Sequence, residues 1–239
     1  MDDLHVVGST ALGAYVPGRS DIDVVVALDR RLTRGELVRL RLAQVVASVP
    51  CGVSGVVHRR WAFPGNVNGV YVVTADLARP VAEIEPVAAH TGISFTVGRA
   101  FDVNPVMWTV LADQGVPAPR PPRAETEAWC RDNLRTFWRG LASRMRGGRI
   151  SRSRLAQEVL GVSRPWVTAT TGEVVSKEEA GERALVSFAD EWHPLLREAL
   201  AWRRHQPPPD RSFADARVRA DRTADWIDEV GDAVLVRSA

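Results

Sequence analysis

The run Asp21-Ile22-Asp23-Val24-Val25-Val26-Ala27-Leu28 constrains this chain more than any other stretch. Consecutive apolar residues bounded by turn signals read as a buried strand. At its head Asp21 and Asp23 stand at i and i+2, so an extended backbone points both to one face. Carboxylates at a buried strand need a partner, and no basic residue interrupts the run. A cation held between them is the economical solution, against the alternative of two like charges facing water beside a turn. Upstream, the apolar stretch Leu4 to Val7 delivers Gly8-Ser9. Gly8 allows a tight turn, and Ser9 adds a hydroxyl to the backbone N–H groups of a helix start expected over Thr10 to Tyr15, an arrangement that suits an anion.

The 239 residues suggest two modest domains. With 31 basic against 29 acidic residues the charges nearly cancel, which argues against a general polyanion-binding surface and against nucleic acid as a partner. Arginine supplies almost all the positive charge, and Lys177 is the only lysine. Cys51 and Cys130 match no metal or redox spacing and read as reduced, partly buried thiols. With no basic leader and no apolar run of membrane length, the expectation is a cytoplasmic protein without membrane partners, and a monomer.

Along the chain, Thr33 opens a helix with Glu36 as its capping partner, ending before Pro50. Val53 to Phe63 and Gly69 to Thr74 read as strands separated by the turn cluster Pro64-Gly65-Asn66-Val67-Asn68. Leu77 to Val87 reads as a surface loop, and Ile93 to Val97 as a strand. Asp102 or Asn104 caps a helix over Val106 to Asp113, which Gly115 ends. The proline-dense stretch from Val116 to Arg123 is the composition break, placing domains at 1–118 and 124–239. Helices are expected beyond it over Glu125 to Met145, Ser151 to Val167, Ser176 to Trp192, Pro194 to Arg204 and Ala214 to Val234. The tryptophans of this half read first as core, with a cleft stacking a flat ligand as the alternative.

Gly8-Ser9 followed by Ser20-Asp21-Ile22-Asp23 at a strand head resembles the nucleotidyltransferase signature of the DNA polymerase β superfamily. The segments Leu160-Gly161-Val162-Ser163-Arg164-Pro165-Trp166 and Thr171-Gly172-Glu173-Val174-Val175-Ser176-Lys177 resemble the C-terminal helical domain of streptomycin/spectinomycin adenylyltransferases. The resemblance implies an α+β fold: an N-terminal polymerase-β-like domain with a mixed sheet, then a C-terminal α-helical bundle. It implies transfer of AMP from ATP to a small-molecule hydroxyl, with ATP and the acceptor held between the domains and pyrophosphate released. Asp21 and Asp23 would ligate two Mg²⁺ ions; Gly8, Ser9 and Ser20 would hold the nucleotide's triphosphate, and Arg164 and Lys177 would contact its phosphates.

The chain departs from that pattern twice. The family's third acidic residue, a glutamate on a later strand, has no counterpart in His90 to Gly98. Glu83 or Glu85, Asp102, or His90 acting as a base near neutrality are the candidates, the remaining alternative being a catalytically impaired nucleotide-binding regulator. On the acceptor side the loop from Ser143 to Arg152 is basic, through Arg144, Arg146, Arg149 and Arg152, which favours a neutral or anionic acceptor over a polycationic aminoglycoside. Together with Arg154 these arginines are also the sole motive for a nucleic-acid substrate.

Overall fold

The computed structural model describes residues 3–57 and 66–235, and divides between Pro122 and Arg123 into two compact units. The first unit is built on a five-stranded mixed sheet: β1 (Asp3–Val7), β2 (Ile22–Leu28), β3 (Val67–Val73), β4 (Ala88–Thr91) and β5 (Ser94–Val97), in that spatial order. Only β2 and β3 are parallel. That pairing needs a long crossover, which the helix α2 (Arg34–Val57) supplies after a one-turn helix α1 (Gly8–Ala11) between β1 and β2. At the start of α2 Thr33 Oγ1 accepts from the Glu36 N–H at 3.3 Å while Glu36 Oε2 accepts from the Thr33 N–H at 2.8 Å, the expected capping box.

Alternation along β2 divides the sheet. Val24, Val26 and Leu28 join Tyr71, Val87 and Ala88 in a buried cluster on which Leu37 and Leu40 of α2 pack. Asp23, Val25 and Ala27 point to the other face. The helix α3 (Pro105–Asp113) packs against β1 and α1. Asn104 is its cap, accepting from the Met107 N–H at 3.0 Å, so Asp102 is not the capping residue.

Four local expectations are corrected. The helix over Thr10 to Tyr15 forms instead at Gly8–Ala11. Helix α2 does not end before Pro50 but runs 24 residues to Val57, absorbing the start of the expected Val53 to Phe63 strand, whose end lies outside the described residues. A proline removes one backbone bond, and the helix continues through it, so a single local breaker does not end this long helix. The supposed surface loop Leu77 to Val87 forms two 3₁₀ turns and buries Leu77, Val81, Ile84 and Val87. Finally, Val67 and Asn68 lie not in the turn cluster but at the start of β3; beyond it His90-Thr91 closes β4, and the reversal at Gly92, whose φ of +56° glycine tolerates, makes β4 and β5 a hairpin.

The second unit is helical: α4 (Arg123–Asn133), a π-helical turn (Leu134–Trp138), α5 (Arg139–Met145), α6 (Arg152–Thr171), α7 (Lys177–Ser187), α8 (His193–Arg203) and α9 (Ala216–Leu235). Central α6 touches α4, α7, α8 and α9. It ends at Gly172 with φ +73°, and α7 starts with Ser176 Oγ accepting from the Glu179 N–H at 3.1 Å, as the sequence suggests. Glycine permits two close approaches: a Cβ at Gly161 would lie 2.8 Å from Trp138, and one at Gly181 would lie 2.6 Å from Leu160. Trp138, Trp192, Trp202 and Trp226 are buried, and Phe188 stacks edge-on to Trp226, so these tryptophans build core rather than a ligand platform.

Candidate active site

The antiparallel register sets Val7 opposite Asp23, which brings the turn at Gly8 onto the aspartate. Gly8 has φ +62°, and a Cβ there would fall 2.2 Å from Asp23 Oδ2. The glycine is therefore required twice, by its left-handed backbone and by the carboxylate that occupies the side-chain space. Asp21 stands two residues upstream at the mouth of β2, on the same face by alternation, and both carboxylates are half-buried. Ser9 lies in the first turn of α1, where backbone N–H groups lack intrahelical partners. Ser20 is buried, and its Oγ accepts from the Val16 N–H at 3.1 Å, so this hydroxyl closes the Val16 to Ser20 turn.

The parallel pairing with β3 puts Asn68 opposite Asp23, and Asn68 Nδ2 donates to Asp23 Oδ1 at 3.1 Å. The amide is fixed from behind: its Oδ1 accepts from Asn66 Nδ2 and from the Gly92 N–H, both at 3.3 Å. Behind Asn66, the Ser48 hydroxyl of α2 receives Gln44 Nε2 at 3.1 Å and shares its one proton between Asn66 Oδ1 at 3.3 Å and the Gly92 carbonyl at 3.2 Å. Gln44, Ser48 and Asn66 are buried. A polar chain thus runs from α2 to the carboxylate, in surroundings where unpaired polar groups are costly. The sequence pattern marks Asn68 only as the end of a turn cluster, whereas it stands in β3.

The candidate bases separate. His90 pairs with Gly69 in β4, one register step from Asn68 and on the opposite face from Asp23. Its ring fills the space above Gly69, where a Cβ would lie 2.6 Å from Cε1, and it contacts Tyr71 at 5.7 Å between centroids. Burial holds its pKa below the ordinary 6.5, against a smaller upward pull from a hydrogen bond to the Val67 backbone. It is a neutral packing residue, turned away from the carboxylates. Glu83 pairs with Arg79, and Glu85 with Arg31 at 3.0 Å, beyond the far end of β2 from Asp21. Asp102 lines a cavity of about 420 Å³ with residues that include Ala89, His90, Thr91, Ser94 and Thr96. Thr91 shares Asp23's face of the sheet, since it pairs one step beyond His90.

In the second unit Lys177 Nζ donates to Gln157 Oε1 and lies beside Glu158, whose carboxyl is pushed up by burial and pulled down by Arg154 and Lys177. Arg164 is half-buried on α6. Sequence reasoning missed Arg203, a guanidinium only 3% exposed on α8. Burial lowers its pKa, Glu178 raises it, and the like charge of Arg164 lowers it again. The loop after α5 is less basic than it reads. Arg146 binds Asp225 at 2.6 Å and also Asp228, the Gly147 N–H donates to Asp221 at 2.7 Å, and Arg152 pairs with Glu198. Carboxylates of α8 and α9 offset part of this charge, which weakens the preference for a neutral or anionic acceptor over a polycationic one.

Among the described residues no three His, Cys, Asp or Glu side chains gather where the protein alone could enclose a metal ion. Two carboxylates on one face still fit Mg²⁺, a hard cation that commonly takes one or two carboxylates and completes its shell with phosphate oxygens and water.

Known proteins match both halves of the chain. Residues 2–91 match the nucleotidyltransferase domain, and residues 144–224 match the C-terminal domain of aminoglycoside adenylyltransferases. No curated protein matches the sequence. Among solved structures the chain is similar to the spectinomycin adenyltransferase AAD(9) from Enterococcus faecialis, crystallised with ATP and spectinomycin. The TM-score is 0.59 at 10% identity, over 94% of this chain and 90% of that one. At this identity the likeness is one of fold.

Proposed function

We propose, from the premise that this chain is an aminoglycoside-adenylyltransferase-like nucleotidyltransferase, that it transfers AMP from Mg²⁺-bound ATP to a hydroxyl of a small molecule and releases pyrophosphate. The observation that supports this most is the packing of the Gly8 turn onto Asp23, which joins an anion-binding turn to a carboxylate in one rigid unit. Asp21 and Asp23 are the oxygen ligands for the cation. When bound, the cation lowers the charge on the attacking and leaving oxygens. Gly8 and Ser9 hold triphosphate oxygens, and Ser20 shapes the turn between them and Asp21. Arg164 and Lys177 are assigned to the nucleotide's phosphates by the resemblance, with Arg203 adding positive charge beside Arg164.

For the acceptor we favour a hydroxylated aminoglycoside of the streptomycin or spectinomycin type, since two of the loop's arginines are paired within the helical unit, Arg146 with Asp225 and Asp228 and Arg152 with Glu198. Among the candidate carboxylates Asp102 is the one on the cavity that includes Thr91. Pyrophosphate release from ATP with a panel of aminoglycosides tests the proposal: Asp21→Asn and Asp23→Asn should each abolish it, and Asp102→Asn should lower the rate on the order of 10²–10⁴-fold if it serves as the base. No release with any acceptor, or release untouched by the aspartate variants, would sink it. A second reading, a nucleotide-binding regulator without turnover, is favoured by the lack of a third clustered carboxylate among the described residues. Metal-dependent ATP binding without turnover in the same assay identifies that case.

A further inference from the structure

We propose that Asn68 is the positioning residue of the metal site: its amide aims the Asp23 carboxylate, and its neutrality leaves the cation to be taken up together with the nucleotide. The inference rests on Asp21 and Asp23 being the metal ligands. Three hydrogen bonds set the orientation of this amide. Oδ1 receives Asn66 Nδ2 and the Gly92 N–H, so Nδ2 is left toward Asp23 Oδ1, which it meets at 3.1 Å. Flipping the amide would lose both donors on Oδ1 and set an oxygen against a carboxylate. On its other side Asp23 is confined by Gly8, which leaves no room for rotation toward the turn. The carboxylate is therefore held between a glycine on one oxygen and an amide on the other.

The identity of residue 68 also sets the charge. It is the register partner of Asp23 on the adjacent strand and shares its face. The other positions of β3 and β4 on that face, Val70, Val72, Ala89 and Thr91, bear no charge. With two carboxylates and a neutral neighbour, the protein offers a cation too few ligands to hold it tightly alone, and phosphate oxygens complete the shell. An aspartate at 68 would place a third carboxylate about one hydrogen-bond length from Asp23, a repulsion that a divalent cation relieves. The two roles predict opposite effects of two substitutions at one atom position, which a purely structural role does not.

The test is a calorimetric titration of Mn²⁺ into the full chain, with and without a non-hydrolysable ATP analogue, alongside thermal melts. Wild type should bind Mn²⁺ weakly alone and more tightly with the analogue. Asn68→Ala should weaken Mn²⁺ binding in the presence of analogue by about tenfold. Asn68→Asp should tighten Mn²⁺ binding without analogue by on the order of tenfold and make the melting temperature rise with added Mn²⁺. If both variants shift affinity in the same direction, or neither does, while Asp23→Asn abolishes metal-linked nucleotide binding, the role of Asn68 is overturned and the nucleotidyltransferase site stands. If Asp23→Asn leaves that binding intact, the site assignment falls with it. Should Asn68→Asp fail to fold, Asn68→Glu takes its place: tighter Mn²⁺ binding without analogue is expected, and unchanged or weaker binding overturns the role.

Discussion

Gly8 and Asp23 occupy a single steric unit: the space in which any other residue would carry its Cβ at position 8 is taken by Asp23 Oδ2, 2.2 Å away. Turn and carboxylate cannot be altered separately. Gly8→Ala should cost about 1–2 kcal/mol for its left-handed backbone and also displace the aspartate. We expect a melting temperature lower by about 2–8 °C and metal-dependent nucleotide binding weakened at least about tenfold, measured by calorimetry. Full nucleotide affinity in this variant would show that the turn and Asp23 act independently.

His90 gives the fold a pH dependence of predictable sign. Burial lowers its folded-state pKa below 6.5, so as the pH falls through about 6.5 the unfolded chain takes up a proton that the folded one refuses. The unfolded state then binds more protons, and stability declines on acidification between 6.5 and the lower folded value. Thermal melts at pH 7.5 and 5.5 should show a fall in wild type that is smaller in His90→Gln. An equal fall in both proteins would remove His90 as its source.

Cys130 is fully buried, and burial pushes its thiol up to about 12, against smaller downward effects of Thr168, Arg164 and Arg131. Almost no thiolate exists there at neutral pH, and the thiolate is the reactive form. Mass spectrometry after iodoacetamide treatment should find Cys130 unmodified in the native protein and alkylated after denaturation. Rapid native alkylation would contradict this burial.

Gly181 lets α7 approach α6 and α8. A Cβ there meets Leu160 Cδ2 at 2.6 Å and Leu200 Cδ2 at 3.0 Å. For an alanine the flexible end of Leu160 must retreat further than that of Leu200, whereas a branched side chain overfills the contact. Gly181→Val should destabilise by about 1–3 kcal/mol and Gly181→Ala by less, read from denaturant midpoints. Equal stability of all three proteins would show that the helices separate at little cost.

Local patterns carried much of this fold into legibility. Alternation in Asp21 to Leu28 announced a strand with two carboxylates on one side, and Thr33, Asn104 and Ser176 announced helix starts, because caps act within four residues. What escaped depends on distant partners. Pro50 looks like a stop, yet the helix runs past it to Val57. Asn68 sits 45 residues from Asp23, and only strand register shows that the two meet. His90 drew attention by its chemistry, and register likewise turns it to the other face. The charge of Arg146 was visible, but its cancellation by Asp225 and Asp228 comes from a helix roughly 80 residues on.

The two-residue period of β2 has a consequence for how this gene can vary. Val24, Val26 and Leu28 are interchangeable among apolar residues of similar volume, so the strand accepts many spellings. Its length accepts none: one codon gained or lost between Asp23 and Leu28 would rotate either the carboxylates into the interface with α2 or the valines out of it. Related sequences can therefore diverge freely in composition across this strand while its residue count stays fixed.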